Sequence, residues 1–91
     1  MNPTRTRVLT TLKKARSSLD KIIQMIDQEA YCIDIIQQNL AVMGLLKSTN
    51  VQLLEDHLGC CFVSAIKSAS KKRQEEMVKE ILTIVKTAQN K

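Results

Sequence analysis

The chain has 91 residues, a formal net charge of +5, 44% hydrophobic residues, two glycines and one proline. That length allows one small domain over residues 1–91, and a chain so short often needs a metal, disulfides or a second copy to complete its core. No apolar run reaches the roughly 20 residues of a membrane span, and Met1–Asn2–Pro3–Thr4–Arg5 is not a hydrophobic signal segment. The sequence therefore reads as a cytoplasmic protein with reduced thiols, whose three cysteines serve as ligands or redox groups rather than as a disulfide framework.

From the N-terminus, Val8, Leu12, Ala15, Leu19, Ile22 and Ile26 recur at alternating spacings of four and three. This is the stripe of an amphipathic helix, and Pro3 and Thr4 stand at a plausible start. Asp27–Gln28–Glu29–Ala30 interrupts it as a short polar connection. A second helix is expected from about Tyr31 to about Ser68, with Ile33, Ile36, Leu40, Met43, Leu46, Leu53, Leu54, Leu58, Phe62, Ala65 and Ile66 on its apolar face. Gly44 and the turn-like Lys47–Ser48–Thr49–Asn50 weaken that helix, but no proline interrupts it. Ser68 to Arg73 reads as a basic loop, and Gln74 to Ala88 as a third helix carrying Met77, Val78, Ile81, Leu82, Ile84 and Val85. The expected fold is all-α, three helices with a long central one. That helix cannot be covered within one chain, so antiparallel pairing into a homo-oligomeric four-helix bundle is expected.

The chemistry concentrates on Cys32, His57 and Cys61. His57 and Cys61 are four residues apart and share one face of a helix. Cys32 lies 25 positions before His57, about 37 Å along a continuous helix, which no ion can span. In an antiparallel homodimer, Cys32 of one chain would meet His57 and Cys61 of the other. Two thiolates and one imidazole suit soft ions. They make a natural trigonal set for Cu(I), whereas Zn(II) would want a fourth ligand. Cys60 sits about 100° round the helix from Cys61 and reads as a packing or spare thiol. No Gly-rich loop or nucleophile elbow accompanies the Cys–His pair, which argues against an enzyme. Charge is segregated. Arg5, Arg7, Lys13, Lys14, Arg16 and Lys21 face only Asp20 within residues 1–24, residues 67–91 are again basic, and the middle is acidic apart from Lys47. Basic helical ends of this kind point to phosphate contact.

Two stretches can be compared with a known pattern. Met25–Ile26–Asp27 leading to Tyr31–Cys32–Ile33–Asp34 is similar to M-I-E-x-x-x-Y-C-I-D, and Leu53–Leu54–Glu55–Asp56–His57–Leu58 with Cys61 is similar to L-L-E-D-H-L-x-x-C. Gln37–Gln38 with Ala41–Val42, and Glu75–Glu76–Met77 at the last helix, extend the likeness over nearly the whole chain. In these motifs the chain resembles the CsoR-type bacterial metal-sensing repressors, in their copper-sensing branch. The resemblance implies a homotetramer built from two antiparallel dimers. It implies Cu(I) bound across the dimer interface by Cys32, His57 and Cys61, with Zn(II) as a non-cognate ion. Tyr31 and Glu76 would couple that site to the last helix. It further implies operator DNA held by the apo-protein through Arg5, Arg7, Lys13, Lys14, Arg16 and Lys47 and released when Cu(I) binds.

The first helix departs from the family's R-R-I-x-G-Q-V-x-G-I. Here Ser17–Ser18 replace Gly–Gln, and Asp20 stands among the basic residues. Three alternatives keep the fold and change the role. A persulfide sensor of the same family lacks the histidine that His57 supplies. A formaldehyde sensor typically has proline directly after the initiator Met, where this chain has Asn2. A helical metal buffer would retain the fold without binding DNA.

Overall fold

The computed structural model describes residues 2–89, without the side chains of Cys60, Cys61 and Gln89. Helical residues fall in three runs, as the sequence predicts: α1 (Pro3–Asp27), a run from Cys32 to Ser68, and α4 (Lys71–Gln89). The middle run comprises α2 (Cys32–Asp56), a π-helical segment (His57–Phe62) and α3 (Val63–Ser68). The chain divides into two compact units, residues 1–55 and 56–91.

In the first unit α1 and α2 form an antiparallel hairpin. Asn2 caps α1: its Oδ1 accepts a hydrogen bond from the Arg5 N–H at 2.8 Å, and Pro3 follows in the first turn, where its missing N–H costs nothing. The other end closes with paired bonds, Ala30 N–H to Met25 C=O at 2.9 Å and Glu29 N–H to Ile26 C=O at 3.1 Å. This is a Schellman turn, and its left-handed residue is Glu29 at φ 55°, where glycine is usual. A left-handed non-glycine residue is strained by about 1–2 kcal/mol, partly offset by glycine's larger chain entropy. Glu29→Gly is therefore expected to stabilise the protein by about 0.5–1 kcal/mol, read as a rise of a few degrees in Tm.

The hairpin seam is regular. On α1, Val8, Ala15 and Ile22 are buried, and Thr11, Ser18 and Met25 are half-buried between them. On α2, Val42 and Thr49 are buried, with Ile35, Gln38, Leu45 and Gln52 half-buried. Both are heptad-like seams, and Ala15, Ile22 and Val42 pack with Ile35 and Leu45 at their centre. Thr49 is tolerated there because its hydroxyl donates to the Leu46 carbonyl at 2.7 Å. Lys47–Asn50 is thus helix, not turn, and nothing lies within 4 Å of a side chain built on Gly44.

Only alternate members of the expected α1 stripe are buried; Leu12, Leu19 and Ile26 remain 40–59% exposed. On α2 the divergence is larger. Ile33, Ile36, Leu40 and Met43, on the apolar face expected of this helix, are 48–59% exposed. They stand two positions off the seam, about 200° round the helix. The helix carries two apolar faces, and α1 covers one.

In the second unit the linker is shorter than the expected loop from Ser68 to Arg73. Only Ala69 and Ser70 leave the helix. Ala69 is extended, and the Ser70 hydroxyl accepts from the Arg73 N–H at 3.2 Å, capping α4 three residues earlier than expected. The Gln74 amide reaches back to the Ile66 carbonyl at 2.7 Å and ties α4 to α3. Met77 is buried, with Gln74 and Ile81 half-buried on the same stripe.

Candidate metal centre and DNA-facing surface

Cys32 is the first residue of α2, and its thiol is free and exposed. The Schellman turn at Glu29 delivers the chain to it. Tyr31 supplies the carbonyl that accepts from Asp34 N–H at 3.0 Å and Ile35 N–H at 3.2 Å, so α2 is nucleated immediately at Cys32. The Tyr31 side chain is 70% exposed.

His57 opens the π segment and is exposed. Its ring lies 5.9 Å from that of Phe62, tilted by 60°. A π turn closes on the fifth residue rather than the fourth, so each residue turns less than in an α-helix. Backbone position 61 then returns close to the face of position 57, whereas position 60 falls well short of it. The side chains of Cys60 and Cys61 lie outside the described residues. Cys32 belongs to the first unit, and His57 and position 61 to the second. Among the described residues, no three His, Cys, Asp or Glu side chains converge within one protomer.

Glu76, in the first half of α4, is half-exposed and meets Arg73 at 3.6 Å one turn before it. A surface pair of this kind contributes little to stability, so Glu76 can change partners at small cost.

Of the residues expected to meet phosphate, Arg7, Lys13, Lys14 and Arg16 are exposed on α1, and Lys47 is exposed on α2. Arg5 is exposed and lines a shallow cleft together with Val8, Leu9, Leu12 and Leu53. Arg16 falls between Leu12 and Leu19 on the exposed apolar flank, and Lys13 and Lys14 lie on the solvent side. The sequence reads Phe62 only as part of the apolar face of the second helix, not as a neighbour of His57. Position 62 comes back to position 57 only through a π turn, and nothing in the sequence announces that turn.

The family described as metal-sensitive transcriptional repressor matches residues 4–87. The chain belongs to that family. It is a family of repressors, not of enzymes. Among curated members, the copper-sensing transcriptional repressor CsoR of Mycobacterium ulcerans is 37% identical over 78 residues, covering 86% of this chain and 64% of that protein. The chain spans about half the length of the CsoR proteins of Mycobacterium tuberculosis and Mycobacterium bovis that it matches. CsoR of Bacillus subtilis is 32% identical over 80 residues, 88% of this chain and 76% of its own. The crystal structure of the copper-sensing repressor CsoR with Cu(I) from Geobacillus thermodenitrificans superposes with a TM-score of 0.81 at 26% identity, covering 93% of this chain and 85% of that one. This repressor-family chain therefore has the all-helical fold expected of it. Among the described residues no helix is long and apolar enough to cross a membrane.

Proposed function

We propose that the protein is a Cu(I)-responsive transcriptional repressor, active on DNA in the bacterial cytoplasm as a homotetramer. One observation carries this reading: the span matched to the repressor family contains a complete soft donor set, with Cys32 and His57 exposed at the starts of their helical segments. Cys32 of one protomer, with His57 and Cys61 of its partner, would hold the ion. Two sulfurs and one nitrogen fit Cu(I), which supplies bonds strong enough to draw these side chains together. Zn(II) would be left one ligand short and is read as non-cognate.

The chain's own residues do the rest. The uncovered face of α2, with Ile33, Ile36, Leu40 and Met43, forms the contact between copies. Arg5, Arg7, Lys13, Lys14, Arg16 and Lys47 meet phosphates along the assembled surface. Tyr31, beside Cys32, and Glu76, on α4, link the ligand side chains to the packing of the last helix. A change of packing that alters the spacing of the basic side chains weakens DNA binding. This is a negative coupling between ion and DNA of the usual 1–3 kcal/mol, roughly 5–150-fold.

Reversing Lys13, Lys14 and Arg16 to Glu tests the DNA half of this reading. Affinity for a duplex from the protein's own promoter is expected to fall by about a thousandfold or more, since several phosphate contacts are lost in every protomer. The helical circular dichroism and the oligomer mass should stay as in the parent. Unchanged affinity would remove α1 from the DNA surface, and no binding by the parent itself would favour a metal buffer.

A further inference from the structure

Resting on the reading of His57 as a ligand, we infer that Phe62 is a positioning residue for its imidazole, and that the π turn exists to bring the two rings together. In an α-helix, positions 57 and 62 are about 140° apart and their side chains diverge. The wider π turn, closing on the fifth residue, narrows that divergence. The rings accordingly stand 5.9 Å apart at 60°, within the tilted geometry that aromatic pairs favour.

The contact matters because of where His57 sits. It is exposed, so no packed core restricts its rotation about χ1 and χ2. Phe62 is half-buried and therefore anchored. The imidazole stands against that ring at 5.9 Å and 60°, and its two ring nitrogens remain the groups that could bind an ion or a hydrogen-bond partner. A histidine held in this way loses less freedom on binding than a free one, so the contact raises affinity without touching the ion. Gly59, in the middle of the π segment, has nothing within 4 Å of a built side chain, so crowding is not the reason for glycine there. Its conformational freedom suits the irregular turn.

The test uses the full-length apo-protein and Cu(I) alone, under anaerobic conditions with a competing colorimetric chelator. Phe62→Leu keeps an apolar side chain and removes the ring; Phe62→Tyr keeps the ring. Phe62→Leu should weaken Cu(I) binding roughly two- to tenfold, the size of an aromatic pair converted to affinity, and Phe62→Tyr should restore it. In the apo-protein, the upfield ring-current shift of the His57 ring protons in NMR should vanish in Phe62→Leu and survive in Phe62→Tyr. A merely structural Phe62 would lower the helical content without that selective loss. If His57→Ala abolishes tight binding while Phe62→Leu, folded, binds Cu(I) like the parent, the positioning role is wrong and the ligand assignment stands. If His57→Ala itself binds like the parent, the ligand assignment fails and takes the positioning role with it.

Discussion

His57→Ala is expected to leave the apo-repressor bound to its DNA and to make it deaf to copper. In the proposed site the imidazole is one of three donors, and His57 is the only histidine in the chain. No second imidazole is available to replace it. Loss of a residue that merely supports a metal ligand typically costs 10–100-fold in affinity; loss of the ligand itself should cost at least about a hundredfold. Folding should be spared, because His57 is exposed and, among the described residues, its ring contact is with Phe62. In the DNA-binding experiment, the affinity of apo His57→Ala should match that of the parent, and added Cu(I) should leave it unchanged. A normal copper response would show that the ion is read elsewhere.

The second large effect concerns assembly. Leu40 is 59% exposed on the face of α2 that α1 does not cover, on the stripe of Ile33, Ile36 and Met43. Burying a leucine contributes about 1.5–3 kcal/mol, and a two-fold contact counts each residue twice. Leu40→Lys should therefore cost about 3–6 kcal/mol per dimer, two to four decades in dissociation constant. Sedimentation should show a lighter species, and the melting temperature should become strongly dependent on protein concentration. If the parent and the variant have the same mass across the concentration range, this face does not hold the copies together.

Much of the architecture is legible in the sequence because helix periodicity is a strong signal. The apolar stripe of α1 and the continuity of residues 32–68 both follow from it. What periodicity cannot do is assign a face to a partner. On α2 the sequence places Ile33, Ile36, Leu40 and Met43 on one apolar face with Leu53 and Leu54, without saying which part α1 covers. The hairpin instead buries Val42 and Thr49, with Gln38 and Gln52 half-buried, because these smaller or hydrogen-bonded side chains fit close against α1. The richer stripe is left uncovered by α1. At α4, basic character masks a helix start: Lys71, Lys72 and Arg73 read as a loop, yet Ser70 three positions before Arg73 is a capping signal.

The candidate site was readable to a comparable degree. Spacing alone shows that Cys32 cannot meet His57 along one continuous helix, and the residue types alone favour a soft ion. The π turn was not readable, since one extra residue per turn leaves no mark in a hydrophobic pattern. With it the His57–Phe62 contact was missed as well.

The most direct test of the central claim is an anaerobic Cu(I) titration of the full-length protein against a competing chelator, with X-ray absorption of the loaded protein and DNA affinity followed in parallel. A Cu(I)-responsive repressor should take up one Cu(I) per protomer, in a trigonal site of two sulfurs and one nitrogen, and bind DNA more weakly as the site fills. Weak or irregular uptake, or tight uptake with DNA affinity unchanged, would contradict it.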